Sequence, residues 1–509
     1  MKRSLAPVTT AVMITLLAGC TSMAPNYERP EVQLPDEQST AIQIEDVHSS
    51  DTRTTDVHAS DTARAAKDIP WQEFFRDKRL QQVIDLALNN NRDLRATLAD
   101  VRAARATYRG TSADQYPGLD AGVSGTRARS RTTGTQTSTS NSWQATVGIS
   151  SYEIDLFGKA ASLTDADLES YLASAETARS AAISLIAETA DAWLTLASDQ
   201  NLLKLAEETA ANAKRAMDIS AKRKELGVDS GIDLVSAEST YQSARADIAR
   251  YRTQVAQDKN ALWLLVGHTL DASLLPSELP SGDALMSEIP AGISSDVLLQ
   301  RPDVLAAEHD LKAANANIGA ARAAYFPSLN LTATSGLASA ALVDLFTGGA
   351  ATIWTIAPSL TLPIFNWGGT SADLEYSKAE KEKYIANYEY AVQTAFQEVA
   401  DALARRATIG EQTDATQGYA SAAEKSYDLS WKRYKAGIDS LQDALQYQRT
   451  LYSAQQSLIS VQLEELNNRI TLYRVLGGGL AEQEGNDTVA VSEEGTGTSS
   501  VQAAKATAF

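Results

Sequence analysis

Two seven-residue stretches carry the densest chemistry in this chain: Gly-Val-Asp-Ser-Gly-Ile-Asp at 227–233 and Gly-Ile-Asp-Ser-Leu-Gln-Asp at 437–443. Each sets two carboxylates four residues apart, Asp229 with Asp233 and Asp439 with Asp443. On a helix such pairs share a face, where like charges cost about 0.2–0.5 kcal/mol, so something should offset them. Two answers are open. Ser230-x-x-Asp233 and Ser440-x-x-Asp443 have the form of capping boxes, in which acid suits the positive start of a helix. Carboxylates gathered in a ring also favour cations and can hold divalent ions. Gly227 and Gly437 stand where one helix would stop and turn into the next.

Other reactive side chains are sparse. The four histidines are His48, His58, His268 and His309. His48 and His58 fall in a polar repeat, DVHSSDT at 46–52 and DVHASDT at 56–62, with no further ligand cluster beside them, which favours a solvated linker over a metal site. The other two have no nucleophile or ligand motif nearby, and the chain has no phosphate loop and no Cys–His pairing. No enzyme, metal or cofactor is expected. A net charge of −19 argues against a nucleic-acid partner, which needs a basic face. Cys20 is the single cysteine. It follows Lys2, Arg3, an apolar stretch from Leu5 to Ala18, and Leu17-Ala18-Gly19. That pattern resembles a bacterial lipoprotein signal, with Cys20 as the lipid attachment site. Thr21 beside it favours sorting to the outer membrane.

The elements that position the two aspartate stretches come in duplicate. Asn91-Arg92-Asp93-Leu94 returns 210 residues later as Arg301-Pro302-Asp303-Val304, Tyr116-Pro117 as Phe326-Pro327, and Val266-Gly267 as Leu476-Gly477. A period this long implies two copies of a whole substructure and not a solenoid. From Lys159 to Leu226 there is neither proline nor glycine, enough for a helix of about 100 Å. The copy from Ser371 to Ala436 holds glycine only at Gly410 and Gly418. After each turn a heptad seam follows: Leu234, Tyr241, Ile248, Val255 and Leu262, with Ala237, Ala244, Tyr251 and Leu265 beside it and Asp258 as the polar break. Each long helix should meet the next in an antiparallel coiled-coil hairpin.

Each copy also holds two alternating segments, such as Leu119, Ala121, Val123 and Trp143, Ala145, Val147, Ile149. These are strands with one apolar and one polar face, and Pro358 in the last should force a bend or bulge. No segment has 18 consecutive apolar residues, so any membrane crossing must be closed β structure. Four strands cannot close a barrel; three copies would supply 12. The expected layout is a signal peptide over 1–19, a lipid-anchored linker over 20–70, a first repeat over 71–270, a linker over 271–294, a second repeat over 295–480 and a disordered tail over 481–509. The first repeat has strands at about 118–127 and 142–156 and helices at about 158–226 and 229–267. The second has strands at about 327–335 and 351–363 and helices at about 368–436 and 439–476.

Four stretches carry a family resemblance: WQEFFRDKRL from Trp71 to Leu80, YEIDLFGK at 152–159, the long run from Gln300 to Gly336, and LPIFNWGG at 362–369. With these the chain resembles the TolC-like outer-membrane factors, in particular the OprM/NodT-type efflux lipoproteins. The resemblance implies an α+β membrane channel, a homotrimer whose 12-stranded β-barrel, four strands per chain, continues into a 12-helix periplasmic α-barrel. It implies passive conduction of drugs or other small molecules delivered by a proton-driven inner-membrane pump through a periplasmic adaptor, with outer-membrane lipid around the barrel. It also implies that the hairpin tips form the periplasmic gate, so Asp229, Asp233, Asp439 and Asp443 become gate candidates, with Tyr434 beside them. The family's arginine two residues after the second turn glycine is here Asp439; charge repulsion is expected to loosen the gate. A type I protein-secretion conduit of the same fold, or a non-channel coiled-coil scaffold, are the alternatives.

Overall fold

A computed structural model describes residues 22–30, 32, 69–131, 137–227, 230–287 and 295–478. The signal peptide, Cys20, Asp229, most of the N-terminal linker and the tail lie outside the described residues. The elements run α1 (Trp71–Phe74), α2 (Lys78–Asn90), α3 (Arg92–Ala113), β1 (Asp120–Arg131), β2 (Thr137–Ile154), α4 (Lys159–Glu225), α5 (Gly231–Val266), α6 (Gly282–Leu285), α7 (Pro302–Ala323), β3 (Ser328–Ser339), α8 (Asp344–Thr347), β4 (Ala351–Thr361), α9 (Gly369–Lys435) and α10 (Leu441–Val475). Among the described residues no helix is long and apolar enough to cross a membrane.

The chain gathers into two compact units, and these cut across the expected repeats instead of following them. One takes residues 99–131, 137–176 and 305–391 together with 22–30; the other takes 69–98, 177–304 and 392–478 among the described residues. The cuts fall at nearly the same place in each copy. Each copy therefore gives its strands to one unit and the far reaches of its long helices to the other, because a strand pair cannot stand alone without further strands beside it.

In the first unit the strands form one antiparallel sheet in the order β1-β2-β3-β4. Register makes the apolar residues share a face across all four: Val123 pairs with Ala145, Ala145 with Leu337, Ala333 with Ile356, and Leu329 with Leu360. The opposite face carries Ser124, Gln144, Thr332 and Thr355. Four expectations need correction. β1 continues to Arg131 and β3 to Ser339, beyond the expected ends at 127 and 335, and β2 starts at Thr137, before 142. Pro358 lies in unbroken register opposite Leu331; β4 is an edge strand in this sheet, where a missing donor is tolerated. The irregularity is in β2 instead, between Ile149 and Tyr152.

Residues 22–29 lie along α7 in the same unit. Asn315 donates to the Pro25 carbonyl at 2.7 Å and Arg322 to the Met23 carbonyl at 3.0 Å. Arg29 donates to both oxygens of the buried Glu308 carboxylate, at 3.3 and 2.6 Å, and Tyr27 adds a third donor at 3.2 Å. Gly319 allows the approach: a Cβ there would meet Ser162 Oγ at 2.6 Å and the Ala24 nitrogen at 2.7 Å.

The second unit is built on alanine seams and one aromatic cluster. Ala190, Ala197, Ala206, Ala213, Ala237 and Ala244 are all buried, which lets helix backbones approach closely. Tyr473 stacks on Phe74 with centroids 4.0 Å apart and donates to the Ile69 carbonyl at 2.6 Å. Trp193 donates to the Leu274 carbonyl at 3.0 Å. The polar break Asp258 faces Asp199; burial and the Asp199 carboxylate push Asp258 up to about 6. Burial, opposed by Arg474 and aided by Glu188, pushes Asp191 up to about 7, and its Oδ1 is buried without a partner.

A carboxyl held above its unfolded value binds its proton more tightly in the folded state, so its contribution to stability falls as pH rises from about 4 through about 7. Asp191→Asn is expected to raise the melting temperature at pH 8 and to lose that gain at pH 5, read by thermal melting of the purified protein at both values.

Candidate channel gate at the helix hairpin tips

Gly227 and Gly437 end α4 and α9 in the left-handed region, at φ +72° and +76°, with open space where a side chain would sit. Their need is conformational, since other residues are strained there. At the second tip the Gly437 N–H donates to the Tyr434 carbonyl at 2.9 Å and the Ile438 N–H to the Arg433 carbonyl at 2.9 Å. This paired bonding satisfies two carbonyls that the helix end would leave open.

The next helices start on the expected serines. Ser230 caps α5: the Asp233 N–H donates to Ser230 Oγ at 3.2 Å, and the Ser230 N–H and hydroxyl donate to Asp233 Oδ2 at 3.1 and 2.8 Å. Ser440 caps α10, accepting from the Asp443 N–H at 3.1 Å and donating to Asp443 Oδ2 at 2.6 Å. Both carboxylates thus use Oδ2 for the cap. Oδ1 of each has no hydrogen-bond partner among the described residues.

Asp439 departs from the sequence expectation. It precedes the α10 cap, so it does not share a helical face with Asp443. Its two oxygens accept from Arg433 Nε and a terminal nitrogen, both at 2.8 Å. This planar two-point pair holds Asp439 below the usual carboxylate range. The expected repulsion from Asp439 is therefore offset within its own chain.

Tyr434 does not stand beside the carboxylates as an exposed group. It is buried among Ala216, Ala237, Leu441, Ala444 and Leu445, with the Trp431 ring 5.5 Å away and the Arg223 guanidinium over its face at 5.2 Å. It locks the two hairpins together just behind the tips. Arg433 and Arg223 were not picked out from the sequence. The signal was there: Lys222-Arg223 recurs as Lys432-Arg433, placing basic residues in the last turn of both long helices, where they also complement the helix dipole.

The profile of the outer membrane efflux protein family matches residues 83–268 and 293–478. The two matches begin and end 210 residues apart, on the two copies. The chain belongs to the outer membrane efflux protein family. It is 42% identical over 488 residues to the antibiotic efflux pump outer membrane protein ArpC of Pseudomonas putida and, equally, to the toluene efflux pump outer membrane protein TtgC of the same species, covering 95% of this chain and 98% of each relative. The open state of the MtrE outer membrane channel of Neisseria gonorrhoeae superposes with a TM-score of 0.78 at 36% identity, covering 90% of this chain and 98% of that one.

Membership places the protein in the bacterial outer membrane as an efflux channel with a large helical periplasmic part. Its fold class is that of the trimeric outer-membrane channels, with four antiparallel strands from each chain. The family is one of conduits and not of enzymes, and a non-channel scaffold does not describe it.

Removing a serine cap costs a helix about 0.5–2 kcal/mol. Ser440→Ala is expected to speed amide exchange in the first turn of α10 by about tenfold while leaving the buried Tyr434 region unchanged; hydrogen-exchange mass spectrometry of the tip peptides checks this.

Proposed function

We propose that this protein is the outer-membrane outlet of a tripartite efflux pump, gated at its periplasmic hairpin tips by Asp233 and Asp443. The observation that carries the gate is the half-used carboxylate. Each of these aspartates is fixed in place by a serine cap through Oδ2, while Oδ1 is left for another ligand or another chain. Three chains bring six such groups, and Asp229 and the Arg433-paired Asp439 stand in the same two turns of sequence. A ring of fixed carboxylates selects for cations and slows anions. A periplasmic adaptor and an inner-membrane pump supply the cargo and the energy. The relatives' names support organic solvents and antibiotics as the cargo class.

The test uses trimers reconstituted in planar bilayers. Asp233→Ala and Asp443→Ala channels are expected to show raised conductance and reduced cation preference. If both variants match the parent in conductance and selectivity, the gate assignment fails, whatever the transport role. Deletion of the gene is expected to sensitise cells to antibiotics and solvents together; no change across such a panel would remove the efflux outlet itself.

We also propose that Cys20 carries the lipid anchor. Residues 22–29 run antiparallel to α7, so that Ser22 and Met23 lie near its C-terminal end, where the chain enters β3. Cys20 lies two residues before Ser22, within about 7 Å of extended chain. The packed strap supports this reading, because it fixes Ser22 and Met23 beside the junction of helix and strand, a few residues from the proposed anchor. Palmitate label is expected in the parent and absent from Cys20→Ser. Gly319→Leu is expected to keep the label but expose residues 22–29 to protease; a labelled Cys20→Ser protein would refute the anchor.

A further inference from the structure

The outer half of the β1–β2 hairpin is chemically unlike the rest of the chain. No acidic residue and no lysine occurs from 121 to 152, and its charges are three arginines, Arg127, Arg129 and Arg131, in a protein of net charge −19. The three are strand residues, all exposed. Their odd positions put them on the same face as Ala121 and Val123, which is the apolar face shared with Ala145 and Val147 through the register. Just below them Trp143 lies opposite Gly125, its ring packed where a Cβ would stand. Across the strand pair the arginines face Asn141, Thr139 and Thr137, which are hydrogen-bonding and uncharged. None of the three has an ion-pair partner among the described residues.

Both ends of this hairpin that lead to helices lie at the same end of the strands: β1 follows α3 and β2 precedes α4. The paired Arg131 and Thr137 therefore lie at the outer end of the strands. A strand tilted by 35–45° gains roughly 2.6 Å of height per residue. Arg127 to Arg131 then stand about 18–29 Å above Asp120, at the upper margin of an apolar band about 25 Å tall. A tryptophan marks that margin in membrane proteins. The lipid-facing side just beyond it meets the headgroups of the outer leaflet.

We propose that Arg127, Arg129 and Arg131 form a binding site for the phosphate groups of the phosphorylated glycolipid in the outer leaflet. Arginines about 6.8 Å apart at the backbone along one strand face present two-point donors to phosphate, and the threonines opposite can bond the sugar hydroxyls. Three chains carry nine such arginines around the barrel, which would bind the channel to its membrane and shield a positive rim in an otherwise acidic protein. The site rests on the outer-membrane barrel, and the experiment separates the two.

Purified trimers of the parent, of Arg127→Gln/Arg129→Gln/Arg131→Gln and of Arg127→Lys/Arg129→Lys/Arg131→Lys are incubated in detergent with diphosphoryl lipid A, with dephosphorylated lipid A, or with diphosphoryl lipid A plus inorganic phosphate, and bound lipid is counted by native mass spectrometry. The parent should retain diphosphoryl lipid A at least tenfold better than the glutamine variant. The lysine variant should fall between them, the dephosphorylated lipid should be lost, and millimolar phosphate should not displace the glycolipid. Equal retention by parent and glutamine variant, or equal retention of the dephosphorylated lipid, overturns the site. Heat-modifiable trimer migration on gels is read on the same samples. Its absence from the parent would overturn the barrel and the site together, and its loss in the glutamine variant alone moves the comparison to Arg129→Gln, held to the same retention criteria.

Discussion

The constraint on which the rest depends is the pair of open edges on a four-stranded sheet. Among the described strands, β1 and β4 each pair on one side only. In water such an edge is a liability, and in hydrocarbon it is not tolerated, because each backbone N–H or carbonyl left without a partner costs several kcal/mol. Four strands are too few to close on themselves. It must meet other copies edge to edge until the sheet closes. The sequence then makes sense from that point outward. Its polar strand face is rich in serine and threonine and suits a watery lumen. Its apolar face is continuous across four strands. Its one strand proline sits on an edge strand, where only one hydrogen-bond ladder is at risk.

Duplication solves the geometry of the helices but does not make the copies identical. Asn91 and Arg301 occupy matching positions and donate to matching carbonyls, Leu265 at 2.7 Å and Val475 at 3.0 Å. The longer arginine also reaches Asp303 and Glu398, both at 2.7 Å. Asparagine cannot reach that far, so the first copy has no cation from that position to neutralise the carboxylates at Glu188 and Asp191. Only Arg474 of the second copy opposes the rise at Asp191. Burial raises the Asp191 carboxyl in the first copy, while the second copy holds an Arg301–Glu398 ion pair that the first has no counterpart for.

Much of this was legible in the sequence because it rests on period. Alternation by two, heptads and a 210-residue offset are properties of spacing, and they locate strands, long helices and turns without any tertiary knowledge. The serine caps were legible for the same reason, since a cap is a contact across three residues. What stayed hidden were contacts set by register or by side-chain reach. Arg129 and Arg131 fall beyond the expected strand end because charge breaks the apolar alternation; only pairing with Thr139 and Thr137 shows that the strand continues. Asp439 read as a source of repulsion because Arg433, six residues back, is brought to it by the left-handed turn at Gly437. The strap along α7 joins residues about 280 to 300 apart, and no local pattern announces it.

The tips combine a rigid base with a weakly held rim. Behind them, Tyr434 and the alanines and leucines around it are buried, and opening that cluster would expose apolar surface at about 25 cal/mol per Å². At the rim, the Arg433–Asp439 pair is exposed on the arginine side, and such pairs are screened by salt. The capped aspartates keep one oxygen uncommitted. The gate proposed above, shut alone and open on contact, needs this division. If the buried cluster held the closed state, a docking partner would have to unfold the tip to open it. In the gate proposed above, where closure rests on carboxylates and an exposed ion pair, a partner need only offer competing charges, and the hairpins can part while their cores stay intact.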